Sequence, residues 1–312
     1  MSINAATSVE TTRANLTLGP ILYNWSPEQK RDFYFRMADE APVDVVYVGE
    51  VVCSKREILW APVLPDIIAR LQAAGKEVVF STLALIMSER ESAAIREIIN
   101  TPDLLIEAND FATADLLKGQ PHIIGPNVNV YNEGTLGYLA DNGANRVCLP
   151  VELPGDSVRQ LAGMQICDTE IQAWGRMPLA ISARCYHARS HGLHKDGCQY
   201  VCDLDPDGLD VMTVDRQPFL TVNGTQTLSS TCLNLLPELD RLADSGVSHF
   251  RLSPQTTDMV EVSTVFRNVL DGTCDPAEGD LKLAAMNTGF VASNGFIHGD
   301  EGWRQIDASH IQ

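Results

Sequence analysis

The sequence contains no apolar run approaching the roughly 18–20 residues that a membrane-spanning helix requires. Its first twenty residues, "MSINAATSVETTRANLTLGP", have neither a basic start nor an apolar stretch, so they read as a loose tail and not a signal peptide. Basic residues are scarce: 23 against 41 acidic ones, for a net charge of −18. That potential repels phosphate backbones, and no basic stripe offsets it, so nucleic acid is excluded as an expected partner. Gly-x-Gly-x-x-Gly does not follow the first strand-like segment, which argues against dinucleotide binding. Neither a Gly-x-Ser-x-Gly elbow nor a His-Glu-x-x-His helix occurs, so the usual hydrolase signatures are missing. Internal repeats and low-complexity segments are absent too. The expectation is a soluble, intracellular, cytoplasmic protein.

What is present begins with ordinary globular composition, 45% hydrophobic over 312 residues. From residue 17 onward, short β-rich runs alternate with helical stretches. The predicted strands are 18–25, 43–50, 78–85, 103–110, 122–130, 146–154, 178–186 and 249–255. Ser26 is the expected N-cap of the helix after the first strand, with Pro27 at its first position. Eight strands alternating with helices favour a parallel sheet buried on both faces, closed as a (β/α)8 barrel of the TIM type. Residues 1–16 are the expected disordered tail and 17–312 a single barrel domain. Within it, 187–235 is too long for a plain loop and reads as a ligand-rich loop plus a small β insertion, with Asn223-Gly224 as a hairpin turn. The glycine-rich segment 272–312 shows little periodicity and is expected to wrap the barrel.

Polar residues collect at the ends of the predicted strands: Asn24, Glu50, Thr82, Asn109 with Asp110, Asn127 with Asn129, and Glu152. In a barrel these tips form the C-terminal face, where active sites sit. Strand-to-helix junctions also favour polar caps, which is the competing explanation for each of them.

The densest chemistry lies in "ISARCYHARSHGLHKDGCQYVCDLDPDG", residues 181–208. Cys185 falls at the tip of the predicted seventh strand, and Cys198 and Cys202 stand four apart, the spacing of one helical turn. Three thiolates together suit zinc or an iron–sulfur centre. A fourth ligand is supplied either locally, by His187, His191 or His194 as a Cys3His zinc site, or from just after the second strand by Cys53, as a four-thiolate site for a 4Fe–4S cluster. Sequence proximity favours the histidines, whereas barrel geometry favours Cys53. Cys148, Cys167, Cys232 and Cys274 sit in apolar or mixed segments and read as packing residues.

"WGRMPLAISARCYHAR", "KDGCQYVC" and "DPDG", together with "VVYVGEVVCSKR", "VNGTQTLS" and "RLSPQ", resemble the quinone-pathway (UbiV-type) branch of the group historically labelled peptidase family U32. The likeness runs over most of residues 18–300. It implies a barrel-like fold and an oxygen-sensitive 4Fe–4S cluster held, position by position, by Cys53, Cys185, Cys198 and Cys202. It also implies a heterodimer with a UbiU-like paralogue that hydroxylates the aromatic ring of ubiquinone precursors without dioxygen, with prephenate as oxygen donor. Other branches of the group, some of which modify RNA, carry a different cysteine arrangement. Here the cysteine following Gly175-Arg176 comes only at Cys185, which supports the quinone branch and argues against proteolysis. Glu50, Arg176, Arg184, His187 and Lys195 are the candidate catalytic or ligand-supporting residues. Two other classes stay open: an electron-relay or structural subunit whose partner holds the substrate, and a zinc-stabilised barrel with a hydrolytic or binding function.

Overall fold

The computed structural model describes residues 13–286 and 288–307. The first seven strands are β1 (Asn15–Leu18), β2 (Val45–Gly49), β3 (Glu77–Ser81), β4 (Leu105–Ala108), β5 (His122–Ile124), β6 (Ala144–Cys148) and β7 (Asp168–Ile181). Then come β8 (Leu209–Met212), β9 (Pro218–Asn223), β10 (Gln226–Asn234), β11 (His249–Leu252) and β12 (Ala292–Ser293). Strands β1 to β7 pair in sequence order, each parallel to the next. Strand β11 pairs in parallel with both β7 and β1, which closes the ring. The chain therefore forms an eight-stranded parallel barrel with alternating helices, the (β/α)8 architecture.

Helices cover the outside: α1 (Pro27–Asp39), α2 (Ser54–Trp60), α3 (Leu64–Ala73), α4 (Glu89–Ile99), α5 (Phe111–Leu116) and α6 (Glu133–Asp141). They continue with α7 (Gly155–Gly163), α9 (Leu239–Asp244), α10 (Met259–Leu270) and α11 (Pro276–Ala285), while the short α8 (Tyr186–Ser190) lies on the rim against β9. Helix α1 starts as the sequence indicates. The Ser26 hydroxyl accepts from the Gln29 N–H, the Gln29 side chain returns to the Ser26 N–H, and Pro27 fills the first helical position. No helix among the described residues is long and apolar enough to cross a membrane.

Side chains alternate across each strand, so every barrel strand has an inner and an outer face. Val46 and Val48 of β2 belong to the large apolar cluster under the helices, whereas Val45 and Tyr47 join a small separate one with Val79 and Ile123. The rest of the interior is polar. Arg251 donates to Glu107 at 2.7 Å and to both oxygens of Glu170, at 3.1 and 2.7 Å. The Tyr47 hydroxyl donates to Glu170 at 2.6 Å and receives Arg146 at 3.2 Å. Ser81 and Asn109 complete the partners of Glu107 at 2.6 and 3.0 Å. Every carboxylate oxygen in this network has a donor, the condition under which ionised groups tolerate burial.

Three expected boundaries move. The first strand is Asn15–Leu18, not 18–25, so the barrel starts inside the segment assigned to the tail; residues 1–12 lie outside the described residues. The seventh strand begins at Asp168, ten residues before the expected 178, and Cys185 stands beyond its end at Ile181. In place of an aperiodic wrap after 272, helix α11 packs on α10, capped by Asp275.

Strand β7 serves two sheets. Its first half pairs with β6 and β11 in the wall, and its second half pairs antiparallel with β10. Strands β8, β9 and β10 thus build an antiparallel sheet rising from the C-terminal rim. This is the expected β insertion, with its hairpin turn shifted by one residue. Asn223 pairs with Gln226, and Gly224 (φ +62°) and Thr225 form the turn.

Candidate functional site

Cys53, Cys185, Cys198 and Cys202 all line one small cavity on the C-terminal rim. They arrive from three chain segments, and each is fixed differently. Cys53 is the N-cap of α2, immediately after β2. The Glu50 carboxylate accepts the N–H groups of Val52 at 3.1 Å and Cys53 at 3.0 Å, which locks this turn. Cys185 caps α8, its sulfur accepting the Ala188 N–H at 3.3 Å. Cys198 follows a 3-10 turn at Lys195–Gly197, and Cys202 lies in a second one at Val201–Asp203. The helical turn expected between these two does not form. Gln199 (φ +50°) and Tyr200 (φ +56°) adopt left-handed backbone, which redirects the chain so that both thiols reach the same cavity.

The insertion is the scaffold for this loop. Ser182 donates its N–H to Thr225 O at 2.9 Å, and His187 to Gly224 O at 3.4 Å. Gly224 itself lines the cavity. A Cβ there would stand 2.5 Å from Arg56 Nη2, so the bare backbone is what admits the guanidinium.

Arg56, which sequence reasoning did not single out, is 1% exposed. Nη1 donates to Leu22 O at 2.8 Å and Nη2 to Asn223 Oδ1 at 2.9 Å, which leaves the guanidinium charge acting on the Cys202 thiol. Burial pushes the thiols of Cys53 and Cys202 up, and the Arg56 charge pulls both back down. The "CSKRE" stretch held the signal, since an arginine one helical turn beyond a candidate ligand projects back towards it. Nothing in the sequence revealed its burial.

The other expected residues separate by role. Glu50 is buried beside Lys30, 3.8 Å away, and that lysine stacks on Trp60. Burial lowers Lys30 to about 8 despite the attraction of Glu50. Lys195 lines the cavity, and its backbone carbonyl receives Lys55 Nζ at 2.6 Å. Arg176 is committed to Ser229 O and Ser230 O, both at 2.9 Å, and to Asp210 at 3.2 Å, so it holds the rim sheet together. Arg184 is exposed and its backbone N–H donates to Ser182. His187 is buried and bonds Asp205 at 2.8 Å, with His191 stacked against it. None of His187, His191 and His194 lines the thiol cavity.

Among the strand-tip polar residues, Asn127 donates to Asn109 at 3.0 Å, and both face the barrel mouth. Asp110 is a plain N-cap for α5, and Asn129 holds a left-handed turn. Among the described residues, no three His, Cys, Asp or Glu side chains converge closely enough to hold one metal ion.

Two solved structures resemble the chain at low identity. "The Structure of the U32 Peptidase Mk0906" matches at 9% identity with a TM-score of 0.43, covering 77% of this chain and 93% of that one. The tryptophan synthase complex from Pyrococcus furiosus matches at 11% identity with a TM-score of 0.40, covering 88% and 97%. The family model described as Peptidase family U32 matches residues 32–305. The chain belongs to peptidase family U32.

Proposed function

We propose that this chain is a UbiV-type member of the family, the iron–sulfur subunit of an oxygen-independent hydroxylase acting on the aromatic ring of ubiquinone precursors. In this reading it works as a heterodimer with a UbiU-like paralogue, prephenate supplies the oxygen, and the chain is not a protease. The observation that carries the reading is the meeting of Cys53 with Cys185, Cys198 and Cys202 around one cavity. A donor set of four thiols and no histidine suits an iron–sulfur group. Cys53, Cys185, Cys198 and Cys202 would hold a 4Fe–4S cluster, which supplies single-electron transfer when bound.

The chain's own residues prepare that site. Glu50 fixes the Cys53 backbone, the first turn of α8 offers an N–H to Cys185, and Arg56 supplies a buried positive charge against the thiolates. Such donors to sulfur tune the affinity and potential of a cluster. A zinc site completed by His187, His191 or His194 has no histidine in the cavity to complete it.

Anaerobic purification tests the reading. It expects about four iron and four sulfide per chain, and loss of both in Cys53→Ala. Stoichiometric zinc without sulfide would overturn it. Ring hydroxylation assayed anaerobically with the partner, a quinone precursor and prephenate then tests the reaction itself.

A further inference from the structure

Between α2 and α4, beside the end of β3, lies a cavity of about 570 Å³, a size that takes a small organic molecule. Phe80, Leu83, Ile95 and Ile98 give it apolar walls. Lys55 and Tyr200 border both this cavity and the thiol cavity, but no cysteine lines it. Two of its carboxylates lack donors. Glu50 is 3% exposed; its Oε1 accepts from Val52 and Cys53, while Oε2 has no hydrogen-bond partner and Lys30 Nζ stops 3.8 Å away. Glu57, in the first turn of α2 and half-buried, has no hydrogen bond or ion pair among the described residues. Burial and the Glu50 charge both push its carboxyl up.

The remaining charges of the cavity do not serve them. Glu91 is satisfied by Ser54 Oγ at 2.5 Å and the Met87 N–H at 2.7 Å. Lys55 is held by Lys195 O at 2.6 Å and Asp196 at 3.5 Å, and Arg90 is exposed at the start of α4. The cavity thus offers apolar surface and two acceptors, and lacks a cationic donor. An anion would add repulsion, and a purely apolar molecule would leave both acceptors unserved once water is displaced. A primary ammonium carries three N–H donors, enough for both carboxylates. We propose that the cavity between α2 and α4 binds a small amphipathic primary amine. Its ammonium donates to Glu57 and Glu50, and its hydrocarbon body lies on Phe80, Leu83, Ile95 and Ile98. The site needs no metal and goes beyond the cluster reading.

The test is a titration of the full-length chain, purified anaerobically, with phenethylamine at neutral pH, followed by ligand-observed NMR. Phenethyl alcohol is the uncharged comparison and hydrocinnamate the anionic one. Saturable phenethylamine binding, roughly tenfold tighter than that of either comparison, is the expected result. In Glu57→Gln, which keeps the shape and removes the charge, amine affinity should fall roughly tenfold, to the level of the alcohol. A folded Ala94→Trp chain, with an indole placed in the cavity from α4, should not bind the amine. Absence of saturation, or binding of the alcohol or the anion as tight as that of the amine, would overturn the proposal. Native amine affinity in Glu57→Gln or in folded Ala94→Trp would overturn it as well.

Discussion

Arg56 and Asn223, 167 positions apart in the chain, meet at 2.9 Å between the second barrel strand and the rim hairpin. This contact ties the Cys53 segment to the insertion on which the loop carrying the other three thiols rests. Arg56→Met would leave Asn223 Oδ1 without its donor and Cys202 without its neighbouring positive charge in a buried setting, while Leu22 O keeps the Asn223 Nδ2 donor. Removing one charged member of such a set costs about 3 kcal/mol. Arg56→Lys should recover only part of this, because an ammonium cannot reproduce the two-armed contact. Urea unfolding of the three chains measures it, and equal midpoints would show that the fork contributes nothing.

The eight cysteines should separate by reactivity in the metal-free native protein. Burial pushes Cys232 up to about 12 and Cys148 higher still, and neither lines the thiol cavity. Brief alkylation at pH 8 should therefore leave both unmodified, while Cys53 and Cys198, which are partly exposed, react. Peptide mass spectrometry reads the outcome, and denaturation before labelling should expose all eight. Early modification of Cys148 would contradict its placement inside the barrel.

Two glycines should respond in opposite ways to the same substitution. Gly49 ends β2 at φ +116°, and a Cβ there would lie 2.3 Å from the Ser81 carbonyl oxygen, a backbone atom that cannot step aside. Gly49→Ala should cost at least about 2 kcal/mol. Gly137 sits within α6 with nothing within 4 Å of its Cβ position. Gly137→Ala should stabilise by about 0.5–1 kcal/mol, the usual helix preference for alanine. Thermal melts of the two variants should shift in opposite directions.

The alternation of strands and helices was legible in the sequence because outer-face residues such as Val46, Val48 and Phe80 form apolar runs. The misplaced seventh strand shows where that signal fails. "TEIQAW" interleaves Glu170 and Gln172 with Ile171 and Ala173, because this barrel has a polar interior and not the aliphatic layers usual for the fold. The displaced first strand has the complementary cause. Ile21, Tyr23 and Trp25 are apolar and buried, yet they lie past the strand end, where the chain crosses the rim towards α1. Gly279 hid helix α11, although Asp275 and Pro276 announced its start; its bare Cα is needed because a Cβ would stand 2.7 Å from Leu236. The convergence of Cys53 on the other three thiols is a consequence of rim geometry, which no local spacing encodes. Arg56 and the Arg251 network depend on partners far apart in sequence, and only the folded chain brings them together.

The Arg251 network sets an acid limit on stability. Burial alone would raise Glu170, but Arg251 outweighs it and holds the carboxyl down to about 2 from its ordinary 4.5. A carboxylate depressed by folding stabilises fully above its unfolded value and loses that contribution as pH falls through its folded one. The group should thus contribute about 3 kcal/mol at pH 6 and almost nothing near pH 2. Glu170→Gln removes the titration along with the ion pair, at a cost of about 3–5 kcal/mol near neutrality. The gap in unfolding free energy between native chain and variant should therefore narrow as pH drops from 5 to 2. Urea titrations across that range would show it, and a constant gap would mean that Glu170 gains nothing from Arg251 that it lacks in the unfolded chain.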